Sequence, residues 1–425
     1  MSPPVLPHEI LLDCFELATE PPYFEPDRKK SHAFLLECAR VCRSWTTPAQ
    51  VLLFREVKFP KNDDGPEQGI RPYLLKFLDY LEAHTARGSL VLPNAVRSLT
   101  LAIGVSPSWD SDAQKEVDEI GCDLRTLVRV TKVLPNLMHL DLSSSLGRFD
   151  EAKYLADPEI AHFIQSVFEP AQMVELKRAT QITSLTLRII SYDLPQLAQL
   201  LAAFPALTYL DITECSQLPD ASALQTAGVR DYSNLATLRE LRVATASVVE
   251  ELAGHIQPGQ FAVQTLHVKD LDSMQRLSPL RSSLKRLVVS DLRAARDQAN
   301  QDLDPEAKRF PHLTEMILRG SSLHNSPSLA NIVGTSPVAH LGLLFEPTRL
   351  STCKDTVKLF EDTLGPPRTF VSVRSAAVYC ASTPFFLVGV IEPKPEDLVR
   401  FEEERGFPLT WIYDGEILSI PGLPH

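Results

Sequence analysis

The chain has 425 residues, of which 44% are hydrophobic and 23% charged, so wholesale disorder is excluded and a large core can form without staples. Its 42 Lys and Arg against 54 Asp and Glu give a net charge of −12, which argues against a nucleic-acid or anionic-membrane binder as a whole. Proline is abundant at 33 and glycine scarce at 17, which favours turns and helix starts built on proline and disfavours glycine-rich phosphate cradles.

Residues 1–60 read as helical. The opening MSPPVLPHEILLDCFEL has no basic leader, and Glu9, Asp13 and Glu16 interrupt its apolar run, so it does not read as a signal peptide. Pro7 suits a first helical position and Glu9 a first turn; Ile10, Leu11, Cys14 and Phe15 then fall on one stripe. A charged, proline-bearing insert follows over 20–30. Phe34, Leu35, Cys38, Ala39, Val41, Cys42 and Trp45 next continue at helical spacing, and Pro48 marks the end of that helix or the start of another. Leu52, Leu53 and Phe54 make a last apolar patch before Val57. Three short helices cannot bury this surface among themselves, so the module needs the rest of the chain or a partner protein. Residues 61–91 read as a connector and an N-terminal cap helix, with Leu74, Leu75, Leu78 and Leu81 on one side of a helix starting near Pro72.

A different grammar occupies 92–345. LPNLMHLDL at 134–142, FPALTYLDI at 204–212 and FPHLTEMIL at 310–318 share one layout, and six weaker copies start at 96, 182, 238, 263, 284 and 338. Each reads apolar, two variable residues, Leu or Met, one variable residue, apolar. The middle positions are Leu99, Leu140, Leu185, Leu210, Leu241, Leu266, Leu287, Met316 and Leu341. The later copies recur close to the 20–29-residue spacing of leucine-rich repeats, while longer early gaps imply inserts at 104–120 and 144–172. Helix patterns at Leu124, Leu127, Val128 and Leu134, and at Leu197, Leu200, Leu201 and Phe204, end at Pro135 and Pro205. Strand then helix, repeated, predicts an α/β solenoid of irregular leucine-rich repeats, its parallel sheet concave and its helices convex. An ordinary α/β domain is the alternative. Residues 346–425 form a C-terminal repeat or capping region, with a helix over 395–405 stopped by Gly406 and a closing strand in LTWIYDGEIL.

Catalytic motifs are missing: there is no Walker loop, H-E-x-x-H or G-x-S-x-G. No cofactor and no metal are expected. Seven scattered cysteines read as free thiols in a reducing compartment, hence cytoplasm or nucleus, and Cys38 with Cys42 reads as a buried thiol face. The longest apolar run, 376–391, falls short of the roughly 20 residues that span a membrane. His139, His267 and His340 flank core positions and are expected at the surface. Residues beside the middle leucines should point away from the repeat core. They nominate Arg188, Tyr209, Arg242, His267, Lys269, Arg286 and Arg319 for substrate binding, interleaved with Asp141, Asp211, Glu240 and Glu315. Such a face suits either an acidic or phosphorylated peptide or ordinary mixed surface charge.

The N-terminus resembles an F-box. LPHEILLDCF followed by LLECARVCRSWTTPAQVLLFREV places Leu6, Pro7, Glu9, Ile10 and Leu11, then Val41, Cys42, Arg43 and Trp45, on the family's opening and closing elements. The tail VLLFREV is similar to that of F-box proteins of mushroom-forming fungi. The resemblance covers about 55 residues and departs from the family in the insert at 18–31. It implies an F-box domain over 1–60 that docks on a Skp-type adaptor and through it a cullin–RING complex, with the repeats holding a protein to be ubiquitinated. Adaptor contacts would fall on Leu6, Pro7, Ile10, Leu11, Phe15, Val41, Cys42 and Trp45. The chain itself would be non-catalytic; a scaffold role outside the ligase is the alternative.

Overall fold

The computed structural model describes residues 6–19, 28–59, 71–103, 124–144, 174–177, 181–192, 197, 201, 203–217, 233–254, 261–271, 274–291, 310–319, 336–345, 373–380, 396–407 and 409–413. The expected inserts at 104–120 and most of 144–172 lie outside them. The chain divides into two compact units, Met1–Thr237 and Leu238–His425.

The first unit opens with three helices, α1 (His8–Thr19), α2 (Arg28–Val41) and α3 (Arg43–Arg55). Leu11, Phe15, Leu35, Cys38 and Ala49 form their core, with Ala39, Trp45, Leu52 and Leu53 packed against it. The Pro7 carbonyl accepts the Leu11 N–H at 3.1 Å, which starts α1. The single helix expected across Val41 to Trp45 is broken at Cys42, whose extended backbone makes it the N-cap of α3. The Cys42 carbonyl accepts from the N–H groups of Trp45 and Thr46, and the Thr46 hydroxyl donates back to the Ala39 carbonyl at 2.9 Å. Pro48 therefore neither ends nor begins a helix; it lies buried inside α3, where it forgoes one backbone bond.

Strand β1 (Glu56–Phe59) follows α3 directly, and α4 (Arg71–Ala86) then buries Leu74, Leu78 and Leu81. Phe77 of α4 stacks on Phe54 of α3 at 6.2 Å and meets Phe59 of β1 edge-on at 5.6 Å. After the short α5 (Val91–Ala95) come β2 (Ser98–Ile103), α6 (Leu124–Val133), β3 (His139–Ser144), β4 (Ser184–Tyr192) and β5 (Tyr209–Gln217). β1 to β5 pair in sequence order, all parallel, with Val57, Leu99, Leu140, Leu185 and Leu210 in register. A register shift after Thr186 bulges the β4–β5 pair.

The second unit holds β6 (Glu240–Thr245), α7 (Ala246–Gly254), β7 (Thr265–Asp270), β8 (Arg286–Asp291), β9 (Glu315–Arg319), β10 (His340–Phe345), β11 (Ser375–Cys380), α8 (Glu396–Arg405) and β12 (Leu409–Tyr413). These strands too are parallel and consecutive, aligning Leu241, Leu266, Leu287, Met316, Leu341, Ala376 and Leu409. Gly406, at a φ of 74°, donates its N–H to the Glu402 carbonyl and closes α8.

The repeat motif has a local cause. In Leu134–Leu137, Phe204–Leu207 and Phe310–Leu313 the last N–H donates to the first carbonyl at 3.1 to 3.2 Å, with proline as second residue. Proline's fixed φ suits that turn position, and the turn drives both its apolar ends into the core. Just before eight of the strands one carbonyl accepts two successive N–H groups from the next repeat. Arg97, Met138 and Thr183 do so in the first unit, and Arg239, Gln264, Lys285, Thr314 and Ala339 in the second, at 2.8 to 3.2 Å. Described middle-position leucines are at most 1% exposed, and burying each contributes about 2 kcal/mol. The described residues thus form a parallel-stranded α/β array of leucine-rich repeats. No helix among them is long and apolar enough to cross a membrane.

Candidate interaction surfaces

The helical module presents the first candidate surface. α1 is apolar on two sides: Leu11 and Phe15 face inward, while Ile10, Cys14 and Leu17 lie exposed along the other. Among the described residues thirteen large apolar side chains are exposed, and Leu6, Ile10, Leu17, Phe34, Leu36 and Val41 crowd into this one module. Of the residues assigned to adaptor contact, Leu6, Pro7, Ile10, Val41 and Cys42 are exposed, Leu11 and Phe15 are core, and Trp45 is half-buried against the Phe15 ring at 5.3 Å. Helical periodicity assigns all of them to stripes without saying which stripe faces out. Leu17 and Leu36 escaped notice for that reason. The Cys42 thiol accepts or donates a hydrogen bond to the Ser44 hydroxyl at 3.0 Å, which pulls its pKa down. Expected to be buried beside Cys38, Cys42 is instead exposed, because the chain breaks helix there.

The sheet face opposite the leucine layer is the second candidate, and the two units differ. In the second unit the positions after the middle residue are closed: Arg242 is 9%, His267 5%, Val288 2% and Ile317 0% exposed. His267 is therefore not a surface group. The cause is legible in β8 and β9, where Leu287-Val288-Val289 and Met316-Ile317-Leu318 are apolar without alternation, the mark of strands buried on both faces. Arg242 donates through Nε and Nη2 to one Glu240 oxygen at 3.1 Å, and His267 Nε2 lies 3.6 Å from that oxygen. Arg286 Nε sits 3.2 Å from Glu315. Burial, then the charges of Arg242 and Arg286, push the His267 pKa down to about 3. Lys269 is exposed, and the Arg319 side chain lies outside the described residues.

In the first unit the corresponding row is open. Thr100, Asp141, Thr186 and Asp211 stand in register on β2 to β5, each partly exposed, with Lys58 beside Thr100 on β1. Arg188 Nε is 3.3 Å from Asp141 Oδ2, whereas Asp141 Oδ1 is sealed from solvent without a hydrogen-bond partner. Burial raises the Asp141 pKa; Arg188 and Lys58 oppose this and Asp211 adds to it. Asp211 accepts from the Thr213 N–H and hydroxyl at 3.0 and 2.7 Å and from the Tyr209 hydroxyl at 3.3 Å. The two threonines of this row carried no signal of their own in the sequence. Among the described residues no group of three His, Cys, Asp or Glu side chains is placed to hold a metal ion.

No family model matches the chain. No curated protein matches it either. Among solved structures it is similar to an internalin (inlF) from Listeria monocytogenes, at 14% identity and a TM-score of 0.29, over 80% of this chain and 93% of that one. The repeat architecture rests on the strand register described above.

Proposed function

We propose that the chain is a non-catalytic interaction protein: the substrate-recognition subunit of a Skp–cullin–F-box ubiquitin ligase, docking the adaptor through 1–60 and a target protein through the repeats. The crowding of six exposed apolar side chains on one small helical module carries this reading, because monomeric surfaces scatter such groups and docking surfaces gather them. The family pattern at Leu6, Pro7, Ile10, Val41, Cys42 and Trp45 supplies the class of partner. Its exposed members are the contact set, and Leu11 and Phe15 shape that set from beneath. A cytoplasmic or nuclear site of action goes with the adaptor.

Co-purification of the full chain with a Skp-type adaptor tests it. Ile10→Asp with Val41→Asp should abolish the complex while circular dichroism and the melting temperature stay as in the parent, since both side chains are exposed. Failure of the parent chain to bind any Skp-type adaptor would sink the ligase role.

A further inference from the structure

The second unit has an edge at which its strands begin, and the residue two places before each middle position stands there. In β6 to β9 it is Arg239, Gln264, Lys285 and Thr314. Each of their carbonyls accepts two N–H groups from the next repeat at 2.8 to 3.1 Å, so the row is fixed one strand spacing apart. We infer that this edge binds a segment of a target protein in the polyproline II conformation, with two acidic side chains three residues apart. Arg239 and Lys285 are exposed and stand two strands apart, about 10 Å. A polyproline II chain returns a side chain to the same face every third residue, after about 9 Å. Gln264, half-buried between the two cations, offers its side-chain amide to the peptide groups that such a chain leaves unpaired. Charge supports the assignment. At this edge and on the flanking helices the carboxylates of Glu240, Glu250 and Glu315 are taken by Arg242, Arg276 and Arg286, and the charge of Arg281 offsets that of Glu251. The excess of two positive charges that remains is Arg239 and Lys285. Among the described residues neither pairs with a carboxylate, and Arg239 reaches only the Ala262 carbonyl at 3.4 Å. The position is acidic in none of the ten strands β2 to β11, although acids outnumber bases in the chain.

The proposal rests on the chain being an interaction protein, not on the identity of the adaptor. The test is an array of 12-residue peptides on a Pro-Ser-Ala background, each with two Glu one to six residues apart or two Lys at the same spacings. It is probed with the labelled full chain, with Arg239→Gln, with Lys285→Gln, with the double variant Arg239→Glu and Lys285→Glu, and with Lys76→Gln as an exposed control on α4. The parent should bind the Glu peptides, most strongly at a spacing of three, and less as salt rises. Each Gln variant should lower that signal about twofold to fivefold, the worth of an exposed ion pair. The double variant should lose the Glu peptides and favour the Lys peptides, a reversal that a merely structural role would not produce. Lys76→Gln should bind like the parent. All the substituted side chains are exposed, so circular dichroism should match the parent throughout. No binding to any peptide, a signal indifferent to the spacing of Glu, or a double variant with the parent's selectivity would overturn the proposal. Loss of adaptor binding with acidic selectivity intact would overturn only the ligase role.

Discussion

His267 gives the second unit an acid-sensitive strand pair. Its folded pKa of about 3 lies far below the ordinary value of 6.5, because the ring is buried and flanked by Arg242 and Arg286. The unfolded chain therefore takes up a proton near pH 6.5 that the folded chain refuses. Stability is at full strength above pH 6.5, falls as the pH drops from 6.5 towards 3, and is flat below. Between pH 7 and 5 only the unfolded state titrates, so the loss is about 2 kcal/mol for any folded pKa well under 5. That corresponds to a roughly 30-fold rise in the opening constant. Hydrogen-exchange mass spectrometry of the full chain, corrected for intrinsic rates, should show it in peptides from β6 to β8. His267→Gln removes the titrating group and should flatten the curve by the same amount, while other titrations cancel in the comparison. Parent and His267→Gln curves that run parallel from pH 7 to 5 would refute the buried, neutral assignment.

Four further outcomes are expected. Leu287→Ala, in a fully buried ladder position, should cost about 2–5 kcal/mol in urea unfolding followed by circular dichroism. Pro205→Ala should cost only about 0.4–1 kcal/mol by the same measurement, because it loosens the unfolded chain and leaves the Phe204–Leu207 bond in place. Arg129 of α6 bridges Asp79 and Glu82 of α4 at 2.5 to 2.8 Å but is partly exposed, so Arg129→Met should lower stability by at most about 1 kcal/mol, and by less at high salt, in paired melts. Alkylation mapped by mass spectrometry under native conditions should modify the exposed Cys42 and Cys14 quickly and the buried Cys38 and Cys215 slowly, and Ser44→Ala, which removes the hydrogen bond that lowers the Cys42 pKa, should move Cys42 alkylation to higher pH.

The strand ladder was legible because its signal is redundant: all nine middle positions fall in register within their units. Strands β1 and β11 went unread because valine and alanine replace the leucine, at Val57 and Ala376, although the flanking apolar positions obey the same layout. The break at Cys42 was invisible to periodicity, since one extended residue barely disturbs the stripe. Charge was the least legible. Arg188, Arg242 and Arg286 read as a basic row, but Arg188 and Arg286 each face a carboxylate on the neighbouring strand, Asp141 and Glu315, whose position depends on register between strands, whereas Arg242 turns to Glu240 two residues before it on its own strand. Alternation also misplaced His267, because strands covered on both sides obey no such rule.

The Phe54–Phe77–Phe59 contact joins the helical module to the start of the sheet through three rings rather than a flexible tether. Rings packed this way resist torsion. A complex gripping Ile10 and Val41 would swing β1 to β5 as a boom of fixed reach, and whatever rides on that sheet would meet the rest of the assembly at one heading. Phe77→Ala would then leave each grip intact and spoil only the aim.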